Sequence, residues 1–228
     1  MMGFKSEQDK KKYFSRLSED GKIDAFRDMI ETCSHIVFLG GAGVSTESGI
    51  PDFRSKNGLY HKQEKRFSGY RPEYLLSYDC LKHEPEVFFD YYRRHLDARN
   101  VEPNAAHYSL AEMEKAGKLD GVITQNIDGL HQKAGSINVR EIHGTILKNH
   151  CVFCKEAYQA SIRLLQWADL MIIGGTSLEV GSAAQLAHLY HGKYLVIINK
   201  TKTRMEGKAD LVFHESIGKI LTTVRDAR

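Results

Sequence analysis

Five short apolar runs constrain the fold of this chain more than any other feature, because each stops at glycine or a polar turn. The first is His35-Ile-Val-Phe-Leu39, closed by Gly40-Gly41. Gly121-Val-Ile-Thr124, Leu170-Met-Ile-Ile173, Tyr194-Leu-Val-Ile-Ile198 and Asp210-Leu-Val-Phe213 share its character. Runs this apolar, with no alternation, read as strands buried on both faces of a parallel sheet. Helical patterns lie between most of them, over Ala105–Ala116, Ser182–Tyr190 and Ser216–Val224. A further helix over residues 7–33, broken near Gly21, precedes the first strand. Strands alternating with helices predict an α/β fold with a Rossmann-like, doubly wound parallel sheet.

Residues 55–100 break the alternation. They are rich in Tyr, Arg, His and Phe and read as helix from about Glu84 to Asp97. They are expected to form a smaller inserted domain over the carboxyl edge of the sheet, where open α/β sheets bind ligands. The large unit is then about 25–55, 101–147 and 165–228, with insertions at about 56–100 and 148–164.

The 228 residues suffice for one such unit, and the apolar share of 42% is ordinary for a globular chain. No stretch approaches the ~20 apolar residues that span a bilayer. The polar start lacks the apolar centre of a secretory signal, so a cytoplasmic protein without a membrane partner is expected. Formal charge is only +3, and no basic stripe with interleaved aromatics suggests a nucleic-acid partner. Cys33 and Cys80 read as small buried apolar residues. Cys151 and Cys154 alone are close together, as C-V-F-C.

The segment Gly40-Gly-Ala-Gly-Val-Ser-Thr-Glu-Ser-Gly49 follows the first strand directly. Gly41 and Gly43 permit close backbone approach, and a helix beginning after Gly43 would aim free amides at a phosphate. Thr46 stands where the third glycine of G-x-G-x-x-G belongs. A tight strand-to-helix turn with no ligand would use the same glycines.

Further motifs follow in order: Ile50-Pro-Asp-Phe-Arg54, Thr124-Gln-Asn-Ile-Asp-Gly-Leu-His131, His143-Gly144, Gly175-Thr-Ser-Leu-Glu-Val180 and Ile198-Asn-Lys200. With the glycine loop, they resemble the sirtuin family from about residue 25 to the end. The resemblance implies an NAD-dependent protein lysine deacylase. NAD would be consumed, an acylated-lysine protein or peptide would be the partner, and nicotinamide and O-acyl-ADP-ribose would leave. A protein ADP-ribosyltransferase or NAD hydrolase on the same scaffold is the alternative.

By the same resemblance His143 is the catalytic base, and histidine suits that task near neutral pH. Asp128 would contact the nicotinamide carboxamide. Asn126 would orient the ribose or a water, and Gln125 would bond ribose hydroxyls. Gly41, Ala42, Gly43, Asp52, Phe53 and Arg54 would form the cofactor loop. Gly175, Thr176, Ser177, Asn199 and Lys200 would meet phosphates and the adenosine ribose. All of these follow strand ends or the glycine loop, which is physically consistent. Glu179 and Val180 would pair with the substrate peptide. In relatives that favour acidic acyl groups, a Tyr and an Arg line the channel; Tyr60, Tyr91 and Arg93 are nearby in sequence, and the motifs assign none of them to it.

Three features depart from the family. Most members carry a second C-x-x-C pair, completing a tetrahedral zinc site. Here Cys151 and Cys154 stand alone as metal ligands, with His150 beside them, so zinc is expected to be absent or its site damaged. The arginine-proline…glycine-glutamate loop of the acyl-lysine channel is also missing. Ser182 stands where the family usually has proline.

Overall fold

A computed structural model describes residues 4–145, 155–179 and 181–226. Helix α1 spans Glu7–Phe14 and α2 spans Glu19–Thr32. The break falls at residues 15–18, before Gly21 rather than at it. Ser18 caps α2 by accepting the Gly21 amide, and Glu19 and Asp20 favour the helix start electrostatically. Strand β1 (Ile36–Gly40) follows. Next come α3 (Pro72–Leu75), α4 (Tyr78–His83), α5 (Pro85–His95) and α6 (Ala105–Lys115). Strand β2 (Leu119–Thr124), α7 (Leu130–Lys133) and β3 (Val139–Glu141) lead to α8 (Lys155–Trp167). The chain ends with β4 (Leu170–Gly174), α9 (Gly181–His188), β5 (Tyr194–Ile198), β6 (Leu211–Phe213) and α10 (Ile217–Asp226).

The six strands form one sheet in the order β3-β2-β1-β4-β5-β6, and every pairing is parallel. The doubly wound sheet expected from the apolar runs is therefore present. Alternate residues of each central strand enter opposite cores. Ile36, Phe38, Leu170, Ile172, Val196 and Ile198 pack with Phe26, Leu110 and Leu221 from α2, α6 and α10. Val37, Leu39, Met171, Ile173 and Ile197 pack on the other face with Leu165 of α8 and Leu186 of α9. Helices on both faces explain why these strands read as unbroken apolar runs.

Strand β3 was not foreseen. Its three residues, Val139, Arg140 and Glu141, are half-buried and mostly polar, so no apolar run announced it. Tyr158, Ile162 and Leu165 of α8 pack with the sheet core.

The stretch between β1 and α6 makes a small helical cluster around Phe67, Leu75 and Tyr91. The rings of Phe67 and Tyr91 meet edge to face at 5.1 Å. Tyr70 and Tyr74 both donate to the Glu84 carboxylate, tying the approach to α5. Asn104 at the start of α6 donates to Val44 O at 2.7 Å and Ser48 Oγ at 3.0 Å. That contact locks the glycine loop to the helix layer.

Candidate functional site

In a parallel sheet all carboxyl ends lie on one edge. The strand order reverses between β1 and β4, so the turns leaving those two strands face one another there. They touch backbone to backbone. The Gly43 amide donates to Gly175 O at 2.8 Å, and the Gly41 amide to Gly174 O at 3.2 Å. A Cβ added to Gly43 would lie 2.7 Å from the Gly175 Cα. One added to Gly175, which has φ +59°, would lie 2.4 Å from the Val44 amide nitrogen. The turn itself is a 3-10 helix over Ala42–Ser48 with Gly41 at its cap. It begins before Gly43, and the Gly43 amide is engaged by Gly175. The expected helix start after Gly43 is therefore corrected to one after Gly41.

Three polar side chains connect the glycine loop to the end of β2. Asn126 Nδ2 donates to Ser45 Oγ at 3.0 Å, and Ser45 Oγ donates to Asp128 Oδ2 at 2.7 Å. Asp128 Oδ1 accepts the Leu130 amide and starts α7. Ser45 and Asn126 are buried, so the chain is held in a low-dielectric setting where such bonds are strong. Nothing in the local sequence distinguishes Ser45 from Ser48, so its bridging role is visible only in the fold. Gln125 Nε2 donates to Thr176 Oγ1 at 2.8 Å, joining the ends of β2 and β4. Thr176 Oγ1 also accepts the Leu178 amide. Leu178 is the one non-glycine residue with positive φ among the described residues, at 55°, and it is buried. That strained turn sets where Glu179 points.

His143 leaves the end of β3, where Ile142 N still donates to Thr124 O. Gly144, at φ +82°, makes the turn that follows. His143 Nδ1 lies 3.2 Å from the carbonyl oxygen of Gln125, and Nε2 lies 3.0 Å from Ser182 Oγ. Burial lowers its pKa below the ordinary histidine value, and the Gln125 carbonyl opposes that shift. Burial thus favours the neutral form of the imidazole.

The loop after Pro51 closes on itself. Asp52 Oδ1 accepts the Arg54 and Ser55 amides, while Asp52 O and Phe53 O accept the Leu59 and Tyr60 amides. Gly58 sits so close that an added Cβ would lie 2.6 Å from the Phe53 carbonyl carbon. The rings of Phe53 and Tyr60 meet at 5.5 Å, and the Arg54 guanidinium lies over the Tyr60 ring. Arg54 Nε pairs with Glu179 Oε2 at 2.9 Å. Across the sheet edge, Asn199 Nδ2 donates to Thr201 O at 2.7 Å.

These turns enclose a cleft of about 1150 Å³. Its wall takes in Ala42, Gly43, Asp52, Phe53 and Arg54 from the first turn and loop. Gln125, Asn126 and His143 come from β2 and β3, and Gly175, Thr176, Ser177 and Glu179 from β4. Asn199 and Lys200 close the far end. Gly41 and Asp128 are not part of that wall; Asp128 is linked to it through Ser45 and Asn126. Tyr60 borders the cleft, whereas Tyr91 is buried in the helical cluster and Arg93 is exposed. Val180, Cys151, Cys154 and His150 lie outside the described residues. Among the described residues no three His, Cys, Asp or Glu side chains gather as a metal site. Cys33 and Cys80 are buried, as expected; burial pushes the Cys33 thiol up to about 11 and raises that of Cys80.

The Sir2 family profile matches residues 41–164. An NAD-dependent protein deacetylase of Clostridium acetobutylicum is 43% identical, with 89% of this chain and 98% of that protein covered. One from Clostridium perfringens is 44% identical over 91% and 100%. The chain belongs to the Sir2 family. Solved Sir2 structures agree in fold. A Sir2 with deacetylated p53 peptide and 3'-O-acetyl ADP ribose superposes with TM-score 0.78 at 31% identity, covering 90% of this chain and 97% of that one. A Sir2 with p53 peptide and NAD+ gives 0.75 at 30% identity, over the same shares. In this Sir2 chain the cleft is large enough for a dinucleotide, and the Gly43–Gly175 contact keeps its floor free of side chains. Among the described residues no helix is long and apolar enough to cross a membrane.

Proposed function

We propose that this Sir2-family chain is an NAD-dependent protein lysine deacylase that converts acyl-lysine, NAD and water into lysine, nicotinamide and O-acyl-ADP-ribose. The observation that carries the reading is the half-buried His143, its Nδ1 against the Gln125 carbonyl, on the same cleft wall as Asn126. NAD, when bound, supplies the ribose carbon from which nicotinamide leaves and the ribose hydroxyl that receives the acyl group.

The chain's own residues then have distinct tasks. Ala42, Gly43 and the Gly175-Thr176-Ser177 turn form the floor for the phosphates, with Arg54 on the opposite side. Asn199 and Lys200 hold the adenosine end, and Gln125 faces the ribose. Asn126, fixed by Ser45, orients the reacting ribose, while Asp128 acts behind it by fixing Ser45. Phe53 keeps solvent from the ribose face. Once the acyl oxygen had replaced nicotinamide at the ribose carbon, His143 Nε2 would take the proton of the ribose hydroxyl, whose oxygen would attack the acyl carbon; uptake of water would complete release of the lysine amine, and the Gln125 carbonyl would stabilise the imidazolium. Glu179 lies on the peptide side. The free thiols of Cys33 and Cys80 fit a reducing compartment such as the cytoplasm.

The test is incubation with NAD and an acetyl-lysine peptide, following peptide mass and nicotinamide together. Equal amounts of deacetylated peptide and nicotinamide are expected. Nicotinamide without deacetylation would instead favour an NAD hydrolase, and a mass gain on protein an ADP-ribosyltransferase.

A further inference from the structure

His143 makes a second hydrogen bond that the proton transfer itself does not require. The Gln125 carbonyl oxygen can only accept, so His143 Nδ1 carries the ring proton and Nε2 the lone pair. The Ser182 hydroxyl, 3.0 Å away, therefore donates to Nε2, the atom that must receive the substrate proton. Ser182 is presented by the first turn of α9, which is anchored in the sheet core through Ala183, Leu186 and Ala187. The imidazole is thus gripped at both nitrogens, by a main-chain carbonyl from one strand end and a hydroxyl from another element.

We propose that Ser182 is a positioning residue for His143: its hydroxyl holds the imidazole with Nε2 turned to the cleft and is displaced by the hydroxyl that His143 deprotonates. The hydroxyl suits both ends of the step. It donates to the neutral ring before transfer. Once Nε2 carries the substrate proton, the same oxygen can accept from it. Alanine at position 182 can do neither. The inference rests on the reading of His143 as the base.

The experiment compares Ser182→Ala, Ser182→Thr and His143→Ala with the unaltered chain in two assays. One measures deacetylated peptide. The other measures exchange of labelled nicotinamide into NAD, which needs bond cleavage and its reversal but no base. Ser182→Ala is expected to lower kcat for deacetylation roughly tenfold, a fraction of the ~10²–10⁴ that a positioned base contributes. KM for NAD and the exchange rate should stay within about twofold, and Ser182→Thr should recover most of the loss. Unchanged deacetylation in Ser182→Ala would overturn the proposal. So would equal loss of both assays without rescue by Thr, which would make Ser182 part of the peptide wall only. Normal deacetylation by His143→Ala would instead remove the base assignment itself.

Discussion

Arg54 Nε and Glu179 Oε2 lie 2.9 Å apart, so an ion pair joins the loop after Pro51 to the turn after β4 across the mouth of the cleft. Both side chains are about two-fifths exposed, at 40% and 43%. Such a pair contributes little to stability, on the order of 0–1 kcal/mol. It does occupy the guanidinium that would otherwise meet a phosphate. Glu179→Gln is expected to leave the melting temperature nearly unchanged and to tighten ADP-ribose binding a few-fold at low salt. Calorimetric titration at two salt concentrations checks this; weaker binding would mean that Glu179 aims Arg54 productively.

His143→Ala should leave NAD affinity close to that of the unaltered chain, because Gln125, Thr176 and the glycine floor remain. Deacetylation should fall by about 10²–10⁴, while nicotinamide exchange persists. Loss of NAD binding in this variant would make His143 structural.

The pH profile follows from the same residue. Burial lowers the His143 pKa below the ordinary histidine value of about 6.5, so the unprotonated form predominates at neutral pH. Single-turnover acyl transfer should be flat from pH 7 upward with respect to this group. It should fall only below pH 6.5, as Nε2 becomes protonated. An acid limb centred above pH 7 would contradict the assignment.

Ser45→Ala would strand Asn126 Nδ2 in a buried setting and Asp128 Oδ2 in a half-buried one. A lost buried partner costs about 1–3 kcal/mol. Denaturant melts should show that loss, and nicotinamide release should slow with it. Asn126→Ala should abolish release while perturbing the fold less. Ordinary release in Asn126→Ala would place the reacting ribose elsewhere.

Two buried histidines behind the site predict acid sensitivity. Their rings are 4.8 Å apart; burial pushes His107 down to about 4 and His131 to about 3. Below pH 6.5 the unfolded chain takes up protons that the folded chain refuses, so stability falls as pH falls. The slope approaches about 1.4 kcal/mol per pH unit for each ring until its folded pKa is reached. Urea midpoints at pH 7 and pH 5 measure it, and His131→Leu should flatten the dependence. An unchanged slope in that variant would place the acid sensitivity in other groups.

Much of this architecture was legible in one dimension. Runs such as Leu170–Ile173 announce a strand covered on both faces, because burial on two sides removes the polar alternation. The strand ends then had to carry the polar motifs, and His143 was singled out only because its Glu-Ile-His-Gly context matches a family. What local pattern could not reveal was β3: three half-polar residues become a strand because β2 offers them an edge.

Composition and order of residues determined that helices would cover a parallel sheet and that a glycine turn would lie at its edge. Only the tertiary structure decided that Gly43 meets Gly175, that Ser45 bridges Asn126 and Asp128, and that Ser182 reaches His143. Helix and strand periodicity act over a few residues, so the chain itself records them. These contacts join groups from 39 to 132 positions apart, and only the parallel sheet, which collects every carboxyl end on one side, brings them within hydrogen-bond distance.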